Sequence, residues 1–225
     1  MDDSASPFRV ILGSSSAARH ATLRHAGIDA VICSPDVDES YDPSLSAVEV
    51  TADLAHRKAQ SVLARLGDRV EKPFVLICCD SLLEIDGKLY GKPGSEEAAI
   101  IRWHRMRKHQ GVLVTGHWVA VVDSSGHMRS QCRSAETVVT FADLTDTEIR
   151  AYVSTGEPQR VAGGFTIDSF GGPFITRISG DPHNVVGISL PLVRQMLLDL
   201  GVEWHRLWTI RREDLHTERR IVQIC

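Results

Sequence analysis

The chain has 225 residues, of which 43% are hydrophobic and 24% charged, with a formal net charge of -4 and a pI near 6.2. This is the composition of an ordinary globular protein that can bury a core, in one domain or in two small lobes. The net negative charge excludes the basic face that binding to duplex nucleic acid requires. A nucleotide partner is therefore expected to be a small-molecule substrate.

The N-terminal residues MDDSASPF are acidic where a signal peptide is basic, and no apolar run approaches the roughly 20 residues that span a bilayer. The sequence therefore predicts a cytoplasmic protein that does not enter a membrane. Its five cysteines include the adjacent pair Cys78 and Cys79 and no CxxC motif. This pattern favours reduced thiols that pack in the core over a disulfide framework or a zinc site.

The first element is an apolar strand from Phe8 to Leu12, followed at once by Gly13 and three serines. A helix is predicted from Ala17 to Ala26, with Gly27 as its C-terminal cap. Unpaired N–H groups at the helix start, serine hydroxyls and Arg19 in the first turn together make an arrangement that binds phosphate. The alternative is that the serines only cap the helix.

A second strand is predicted from Val31 to Val37, and the acidic segment from Asp36 to Glu39 ends it. A long amphipathic helix is predicted from Ala47 to Leu66. Lys58 lies beside the apolar stripe of this helix, and the residues alone favour a surface lysine over a catalytic one.

The centre of the chain is an apolar run from Phe74 to Cys79, which is typical of a strand buried on both faces, and Asp80 stands where this run ends. The dipeptide Asp86-Gly87 predicts a β-hairpin turn whose return strand brings Lys92 back towards Asp80. Two interpretations stay open from this stretch. One is an ordinary ion pair at a strand end, and the other is a metal-dependent phosphate site.

Three helices and two strands are predicted after the central hairpin: helices from Ser95 to Lys108, Thr145 to Ser154 and Leu190 to Leu200, and strands from Gly111 to Val122 and His127 to Phe141. Seven of the 17 glycines lie between Gly156 and Gly187, which predicts ligand-approaching loops in place of regular elements. Strands alternate with helices early and hairpins dominate the middle. The predicted fold is α/β, with a mixed, strongly twisted sheet, flanking helices and two lobes around a cleft.

Short motifs along nearly the whole chain, up to about residue 200, resemble those of the Maf (septum formation inhibitor) family. They are Leu12-Gly13-Ser14-Ser15-Ser16-Ala17-Ala18-Arg19, Asp38-Glu39, Leu54-Ala55-His56-Arg57-Lys58-Ala59, Cys79-Asp80-Ser81, Gly91-Lys92-Pro93, Thr115-Gly116, Tyr152-Val153-Ser154-Thr155-Gly156-Glu157-Pro158, Ala162-Gly163-Gly164-Phe165-Thr166-Ile167-Asp168 and Gly180-Asp181-Pro182-His183-Asn184-Val185-Val186-Gly187. Their order along the chain matches the order in the family.

The resemblance implies a cytoplasmic nucleoside triphosphate pyrophosphatase, a hydrolase that cuts between the α- and β-phosphates and yields a nucleoside monophosphate and pyrophosphate. It implies a divalent cation, Mg²⁺ or Mn²⁺, as cofactor and a fold similar to the inosine triphosphate pyrophosphatases. Clearance of non-standard nucleotides and a link to cell division arrest are further implications. Residues 1–201 are expected to form a single Maf-like domain with two lobes, and residues 202–225 a C-terminal extension. The oligomeric state stays open, with a homodimer as one option.

The resemblance also assigns roles to residues of this chain. Asp80 matches the catalytic carboxylate and a metal ligand; Glu39 its partner acid near the metal; Ser14, Ser16 and Arg19 the phosphate loop; Lys58 and Lys92 the lysines that face the triphosphate; and Ala18, Ser81 and Asp168 the positions that select the substrate. The chain lacks one arginine that many members have beside Arg19, and Asp168 stands where many have glutamine. These departures leave the preferred nucleobase open.

Two other functions are compatible with the sequence. A nucleotide-binding regulator of cell division would act through a protein partner, and hydrolysis would be incidental to it. A metal-dependent phosphomonoesterase would release phosphate where a pyrophosphatase releases pyrophosphate. Acids set opposite a cationic phosphate site favour an enzyme, because binding alone does not need them.

Overall fold

The structure is a computed structural model that describes residues 8–67, 70–210 and 222–225. The strands in these residues are β1 (Arg9–Gly13), β2 (Val31–Ile32), β3 (Phe74–Ile85), β4 (Lys88–Tyr90), β5 (Gln110–Val122), β6 (Met128–Phe141) and β7 (Ile175–Ser179). The helices are α1 (Ala17–His25), α2 (Ala47–Leu66), α3 (Glu96–Met106), α4 (Asp146–Ser154), α5 (Pro182–Val186) and α6 (Leu190–Asp199). Four short 3-10 turns supplement them: Pro158–Arg160, Ala162–Gly164, Gly172–Phe174 and Trp204–Leu207.

The strands form one mixed sheet in the order β2-β1-β3-β5-β6-β7, with β4 paired to part of β3. β1 is parallel to β2 and β3, whereas β3, β5, β6 and β7 pair antiparallel to one another. The predicted mixed α/β class is therefore confirmed. Because the chain leaves β1 towards β2 on one side and reaches β3 on the other, the carboxyl end of β1 is a switch point, where open α/β sheets bind ligands.

Both faces of β3 are buried, as predicted, and its side chains alternate between two apolar clusters. Ile77 and Cys79 lie in the cluster that also contains Leu23 of α1 and Leu197 of α6. Cys78 lies in the cluster formed with α2 on the opposite face. The far end of β3 and β5 belongs to another cluster, packed against α3 and α4.

A polar band separates the apolar ends of β3 and β5. Cys79 pairs with His117, Asp80 with Gly116, and Ser81 with Thr115. The side chains of Asp80, Ser81, Thr115 and His117 are all buried. Because buried polar groups cost free energy unless they are paired, this band marks the place where the sheet serves more than packing.

Helix α2 lies unusually close to this band. A Cβ atom added to Gly116 would lie 2.2 Å from the backbone oxygen of Thr51, so only glycine permits the approach. This contact brings the buried side of α2 against the part of the sheet that carries Asp80.

Two predicted segments differ in the structure. The strand predicted from Val31 to Val37 covers only Val31–Ile32, because the chain then turns away from the sheet and bonds to α2, with Asp36 N–H donating to Ser61 Oγ at 3.1 Å. The glycine-rich region, predicted to be loops, contains β7 and α5. Its glycines end these short elements: Gly180 and Gly187 flank α5 with φ of 124° and 113°.

The prediction of reduced, packed cysteines is confirmed for Cys78 and Cys79, holds for Cys132 only in that its thiol is free, and is wrong for Cys33 and Cys225. Cys78 and Cys79 are buried thiols, Cys132 is an exposed thiol, and burial raises the pKa of Cys79 to about 11. Cys33 and Cys225 form a disulfide with their Cα atoms 4.9 Å apart. These two residues are 192 positions apart in the chain, so no local spacing signals their pairing.

Part of the predicted extension packs on the domain. Val202 and Leu207 are buried in the cluster of α1 and α6, and Ile32 pairs with Gln223 near the end of the chain. Residues 211–221 of this extension lie outside the described residues. In the part of the chain that the structure describes, no helix has the length and apolarity needed to cross a membrane.

Candidate active site

The side chains of two carboxylates and one lysine meet in the polar band. Lys58 Nζ of α2 contacts Asp80 Oδ1 of β3 at short range, and it lies 2.7 Å from Glu39 Oε1. The side chains of Lys58 and Asp80 are each only 9% exposed, whereas that of Glu39 is 59% exposed. Lys58 and Asp80 therefore form a buried ion pair, and Glu39 lies beside it at the protein surface.

The prediction that Lys58 is a surface lysine is wrong. The buried residues of α2 include Ala55, Ala59 and Val62, and Lys58 lies on the same helical face, towards the sheet. Its charge is tolerated there because two carboxylates accept its hydrogen bonds. The role that the family resemblance gives Lys58 towards the triphosphate stays a prediction.

Glu39 is held in place by a residue that the sequence analysis assigned no role. Arg57 of α2 donates to the backbone oxygens of Asp38 at 2.7 Å and Ser40 at 2.9 Å, one on each side of Glu39. The position of Arg57 next to Lys58 in the sequence is the signal that was available. Helix α2 therefore supplies both the partner of Glu39 and the clamp on its loop.

The electrostatics of the site favour an ionised Glu39. Burial raises its pKa, but the hydrogen bond from Lys58 and the positive charges of Lys58, Lys92 and Arg19 outweigh this effect, so the pKa lies below its ordinary value. Two cations that the resemblance assigns to the phosphate site, Lys92 and Arg19, therefore act on the same carboxylate.

The expected pairing of Asp80 with Lys92 does not form; Lys58 takes that place. The reason is that β4 pairs with only Leu83 to Ile85 of β3, and the chain leaves the ladder after Tyr90. Lys92 is exposed beyond this point. It contributes positive potential at Glu39 without forming the strand-end ion pair.

The serine loop after β1 has the capping role that was one of the two interpretations. Ser16 is the N-cap of α1, and its Oγ accepts from the Arg19 N–H at 3.3 Å. Ser14 Oγ accepts from the Ser16 N–H at 3.1 Å and from Arg19 Nη1 at 3.2 Å. Ala18, half-buried, lies between Ser16 and Arg19 in the first turn of α1. These bonds shape the loop, and its role towards phosphate stays a prediction.

Asp168 is exposed in the loop between two 3-10 turns of the glycine-rich region. The carboxylate that anchors this loop is Glu157, whose Oε1 accepts from Tyr152 Oη at 2.7 Å, Thr166 Oγ1 at 2.6 Å and the Gly171 N–H at 3.1 Å. The role of Asp168 in substrate choice stays a prediction.

The second buried ionisable group of the polar band is His117, whose Nε2 accepts from the Ser189 N–H at 2.8 Å. Burial, together with the charge of Arg19, lowers its pKa from 6.5 to about 4. As the pH falls, the imidazole of His117 therefore takes up a proton in the unfolded chain before it does so in the folded protein. The free energy of unfolding decreases as the pH falls from about 6.5 to about 4. The full effect is about 3 kcal/mol.

Urea unfolding at about pH 7 and about pH 4.5 measures this dependence. His117→Gln keeps an acceptor for Ser189 and removes the titration, so we expect a flatter pH dependence. His127→Gln, in an exposed turn, serves as the matched control. Equal pH dependence of the wild type and His117→Gln would show that His117 does not titrate as described.

The donor set at the site fits a divalent cation shared with a substrate. Glu39 and Asp80 present carboxylate oxygens to one point, now neutralised by the Lys58 ammonium. Mg²⁺ is commonly held by one or two carboxylates together with substrate phosphates and water. Within the described ranges, no group of three or more His, Cys, Asp or Glu side chains could hold a metal ion by itself. This set therefore suits a cation that arrives with its ligand.

The protein is of the mixed α/β class, with two carboxylates and a buried lysine gathered at the polar band of its sheet. A family model described as Maf-like protein matches residues 9–200, and the chain belongs to this family. The expected membership is thereby confirmed.

Curated relatives share most of their length with the chain. A protein of Cutibacterium acnes is 55% identical over 201 residues, which cover 88% of this chain and 93% of the relative. One of Salinispora tropica is 47% identical, covering 90% and 88%, and one of Mycolicibacterium gilvum is 42% identical, covering 89% and 99%. All three are named nucleoside triphosphate pyrophosphatase.

Two solved structures are distantly similar. A dITP/XTP pyrophosphatase of Mycobacterium abscessus is 14% identical, with a TM-score of 0.31, over 61% of this chain and 76% of that one. The Ham1 protein of Staphylococcus aureus is 12% identical, with a TM-score of 0.36, over 89% and 93%. Similarity at this level carries no argument about either fold or function.

Proposed function

We propose that the chain hydrolyses nucleoside triphosphates to a nucleoside monophosphate and pyrophosphate, with Mg²⁺ or Mn²⁺ as cofactor. The names of relatives up to 55% identical support the activity. The observation that carries the proposal is the meeting of Asp80 and Glu39 on the buried ammonium of Lys58. A packed core has no need of such a cluster, because apolar residues of similar volume stabilise a fold at least as well.

Asp80 is the base in this proposal. Lys58 fixes its carboxylate by a direct ion pair, and this carboxylate accepts the proton of the attacking water. When bound, the divalent cation neutralises phosphate charge and makes water more acidic. The water oxygen then bonds to the α-phosphorus, the bond from this phosphorus to the oxygen that bridges to the β-phosphate breaks, and pyrophosphate leaves.

The cations near the site suit the charge of the proposed triphosphate substrate. A triphosphate carries about four negative charges, and Lys58, Lys92 and Arg19 face the same carboxylate region. A positive field of this kind binds the polyphosphate and stabilises the charge on the leaving pyrophosphate. A monophosphate would engage fewer of these side chains.

A nucleotide panel tests this proposal. Purified protein is incubated with nucleoside tri-, di- and monophosphates and Mg²⁺, and the products are separated by ion-exchange chromatography. We expect consumption of triphosphates and formation of monophosphates. Release of phosphate from monophosphates would identify a phosphomonoesterase, and consumption of no nucleotide would contradict the proposed activity.

Glu39→Gln is expected to raise the Mg²⁺ concentration needed for half-maximal rate, since a neutral amide is a poorer ligand for a hard cation than a carboxylate. The measurement is a metal titration at saturating triphosphate. Glu136→Gln, a matched change on the exposed surface of β6, should leave the titration unchanged. A wild-type titration curve for Glu39→Gln would remove Glu39 from the metal site.

The preferred nucleobase is part of the proposal at Asp168. An ionised aspartate only accepts hydrogen bonds, so a site that uses it favours bases with exocyclic amines, such as guanine and cytosine. Ser81, by contrast, is buried and bonded to Arg19 Nη2 at 2.9 Å and Thr115 Oγ1 at 2.9 Å. We infer that Ser81 influences substrate choice through Arg19 and not by touching the base.

The regulator of cell division remains a separate prediction. Binding of a protein partner that survives Asp80→Asn would favour it, whereas a role that depends on hydrolysis would be lost with the same change. A cytoplasmic location and a homodimer are likewise proposals that rest on the family resemblance.

A further inference from the structure

We propose that Thr115 and Asn184 are positioning residues for Arg19, because they complete a ring of hydrogen bonds that fixes the guanidinium between the phosphate loop and helix α5. This inference rests on the proposed function, since it concerns how Arg19 meets the triphosphate. Neither Thr115 nor Asn184 was assigned a role by the sequence analysis.

The ring begins at the guanidinium. Arg19 Nη2 donates to Ser81 Oγ at 2.9 Å, and Ser81 Oγ lies 2.9 Å from Thr115 Oγ1. Thr115 Oγ1 donates to the backbone oxygen of Asn184 at 3.3 Å. Thr115 and Asn184 are fully buried and Ser81 nearly so, so no water competes strongly for these bonds.

The hydrogen bonds that run from Arg19 through Ser81 and Thr115 to Asn184 all point in one direction. Thr115 has a single hydroxyl proton, which it gives to the Asn184 oxygen, so its Oγ1 must accept from Ser81. Ser81 then gives its own proton to Thr115 and accepts from Arg19. A chain of hydroxyls that starts at a guanidinium is polarised by its charge, which strengthens each bond.

Asn184 anchors the far end of the chain. Its Nδ2 lies within 3.3 Å of three acceptors: Leu113 O at 3.0 Å, Thr137 Oγ1 at 3.1 Å and Ala135 O at 3.3 Å. These groups belong to β5 and β6. A helix of five residues is thereby fixed to the sheet by a side chain that solvent does not reach.

Gly187 closes the ring at the end of α5. Its backbone oxygen accepts from Arg19 Nε at 2.7 Å, and its N–H donates to Asn184 O at 3.0 Å. Gly187 has φ of 113°, and a Cβ added there would lie 3.0 Å from Arg19 Nε. Glycine is therefore required both by the backbone conformation and by the close approach of the guanidinium.

The ring decides what Arg19 can offer to a substrate. Nη1 also donates to Ser14 Oγ at 3.2 Å and to Cys79 O at 2.9 Å, so the protein uses four of the five N–H donors of Arg19. One N–H on Nη2 is left. Arg19 can therefore offer a phosphate a single directed hydrogen bond in place of a forked pair, and such a bond depends on exact placement of the side chain.

The test is a comparison of Thr115→Val with Thr115→Ser, alone and with Arg19→Ala. Valine keeps the volume but offers no acceptor to Ser81, whereas serine keeps the hydroxyl. We expect Thr115→Val to raise KM about threefold to tenfold with kcat nearly unchanged, the scale of one lost hydrogen bond, and Thr115→Ser to restore the wild-type KM. In the Arg19→Ala background, Thr115→Val should add no further change, because its effect passes through Arg19.

A second readout does not need activity. The Nε–H signal of Arg19 in ¹⁵N NMR, assigned by its loss in Arg19→Ala, should be protected from exchange in wild type and Thr115→Ser and should exchange faster in Thr115→Val. If Thr115→Val does not fold, Thr115→Ala replaces it in both measurements. Equal protection in all folded variants, or an equal KM rise in the Arg19→Ala background, would overturn the inference. A wild-type protein with this signal protected but no hydrolysis would contradict only the proposed function.

Discussion

Asp80→Asn is expected to lower kcat at least ~10²-fold while the protein stays folded, because the change removes the general base and keeps the size of the side chain. Folding survives because Lys58 keeps Glu39 as a partner, with 2.7 Å between Nζ and Oε1. The measurements are kcat with a nucleoside triphosphate and the midpoint of thermal unfolding.

Asp86→Asn is the matched control for this substitution. Asp86 lies in the hairpin turn six residues further on, with φ of 49°, a conformation that asparagine adopts as readily as aspartate. It should therefore have wild-type turnover and stability. Near-normal turnover in Asp80→Asn would withdraw the role given to Asp80.

Lys58→Met is expected to lower both stability and turnover. Methionine has a similar length but leaves the Asp80 carboxylate, 9% exposed, without its cation. Removing one partner of a buried pair typically costs about 3 kcal/mol or more, and we expect a loss near the lower value because Glu39 can turn to solvent. Urea unfolding measures the stability, and the triphosphate assay measures turnover.

Two further variants make this result interpretable. Lys88→Met changes an exposed lysine of β4 and should stay within about 0.5 kcal/mol of the wild type. Lys58→Met combined with Asp80→Leu removes both buried charges, so it should recover most of the stability and none of the activity. If Lys58→Met is as stable as Lys88→Met, the ion pair of Lys58 and Asp80 does not contribute the stability described.

The sequence predicted those parts of the fold whose signals are local. Helix α2 was predicted with its observed bounds, Ala47–Leu66, because its apolar period is regular and Gly67 ends it. The capping box of Thr145 and Glu148 predicted the start of α4, and Asp86-Gly87 the hairpin. In each case the physical cause lies within a few residues of the element it specifies.

The sequence did not predict what depends on contacts between distant residues. β7 forms because Ile178 and its neighbours pair with the end of β6, although the surrounding glycines suggested loops. The burial of Lys58 depends on Asp80, 22 residues away, and local periodicity places no partner there. Propensity describes a segment by itself, and tertiary pairing overrides it.

Only part of the candidate site could be predicted from the sequence. Family motifs brought out Asp80, Glu39 and Lys58, which the structure gathers into one cluster. They also included Thr115 and Asn184, but gave no reason for their presence, since the bonds of Arg19 reach across 168 residues to Gly187. The roles of Thr115 and Asn184 became visible only in the structure, from the hydrogen bonds that link the buried hydroxyls of Ser81 and Thr115 to Arg19.

One measurement tests the central claim most directly: ³¹P NMR of a nucleoside triphosphate during turnover by the wild type and by Asp80→Asn, with Mg²⁺ present. The account predicts that signals of a nucleoside monophosphate and pyrophosphate grow together in equal amounts with the wild type and do not grow appreciably with Asp80→Asn over the same time. Signals of a nucleoside diphosphate and inorganic phosphate, or equal rates for the two proteins, would contradict it.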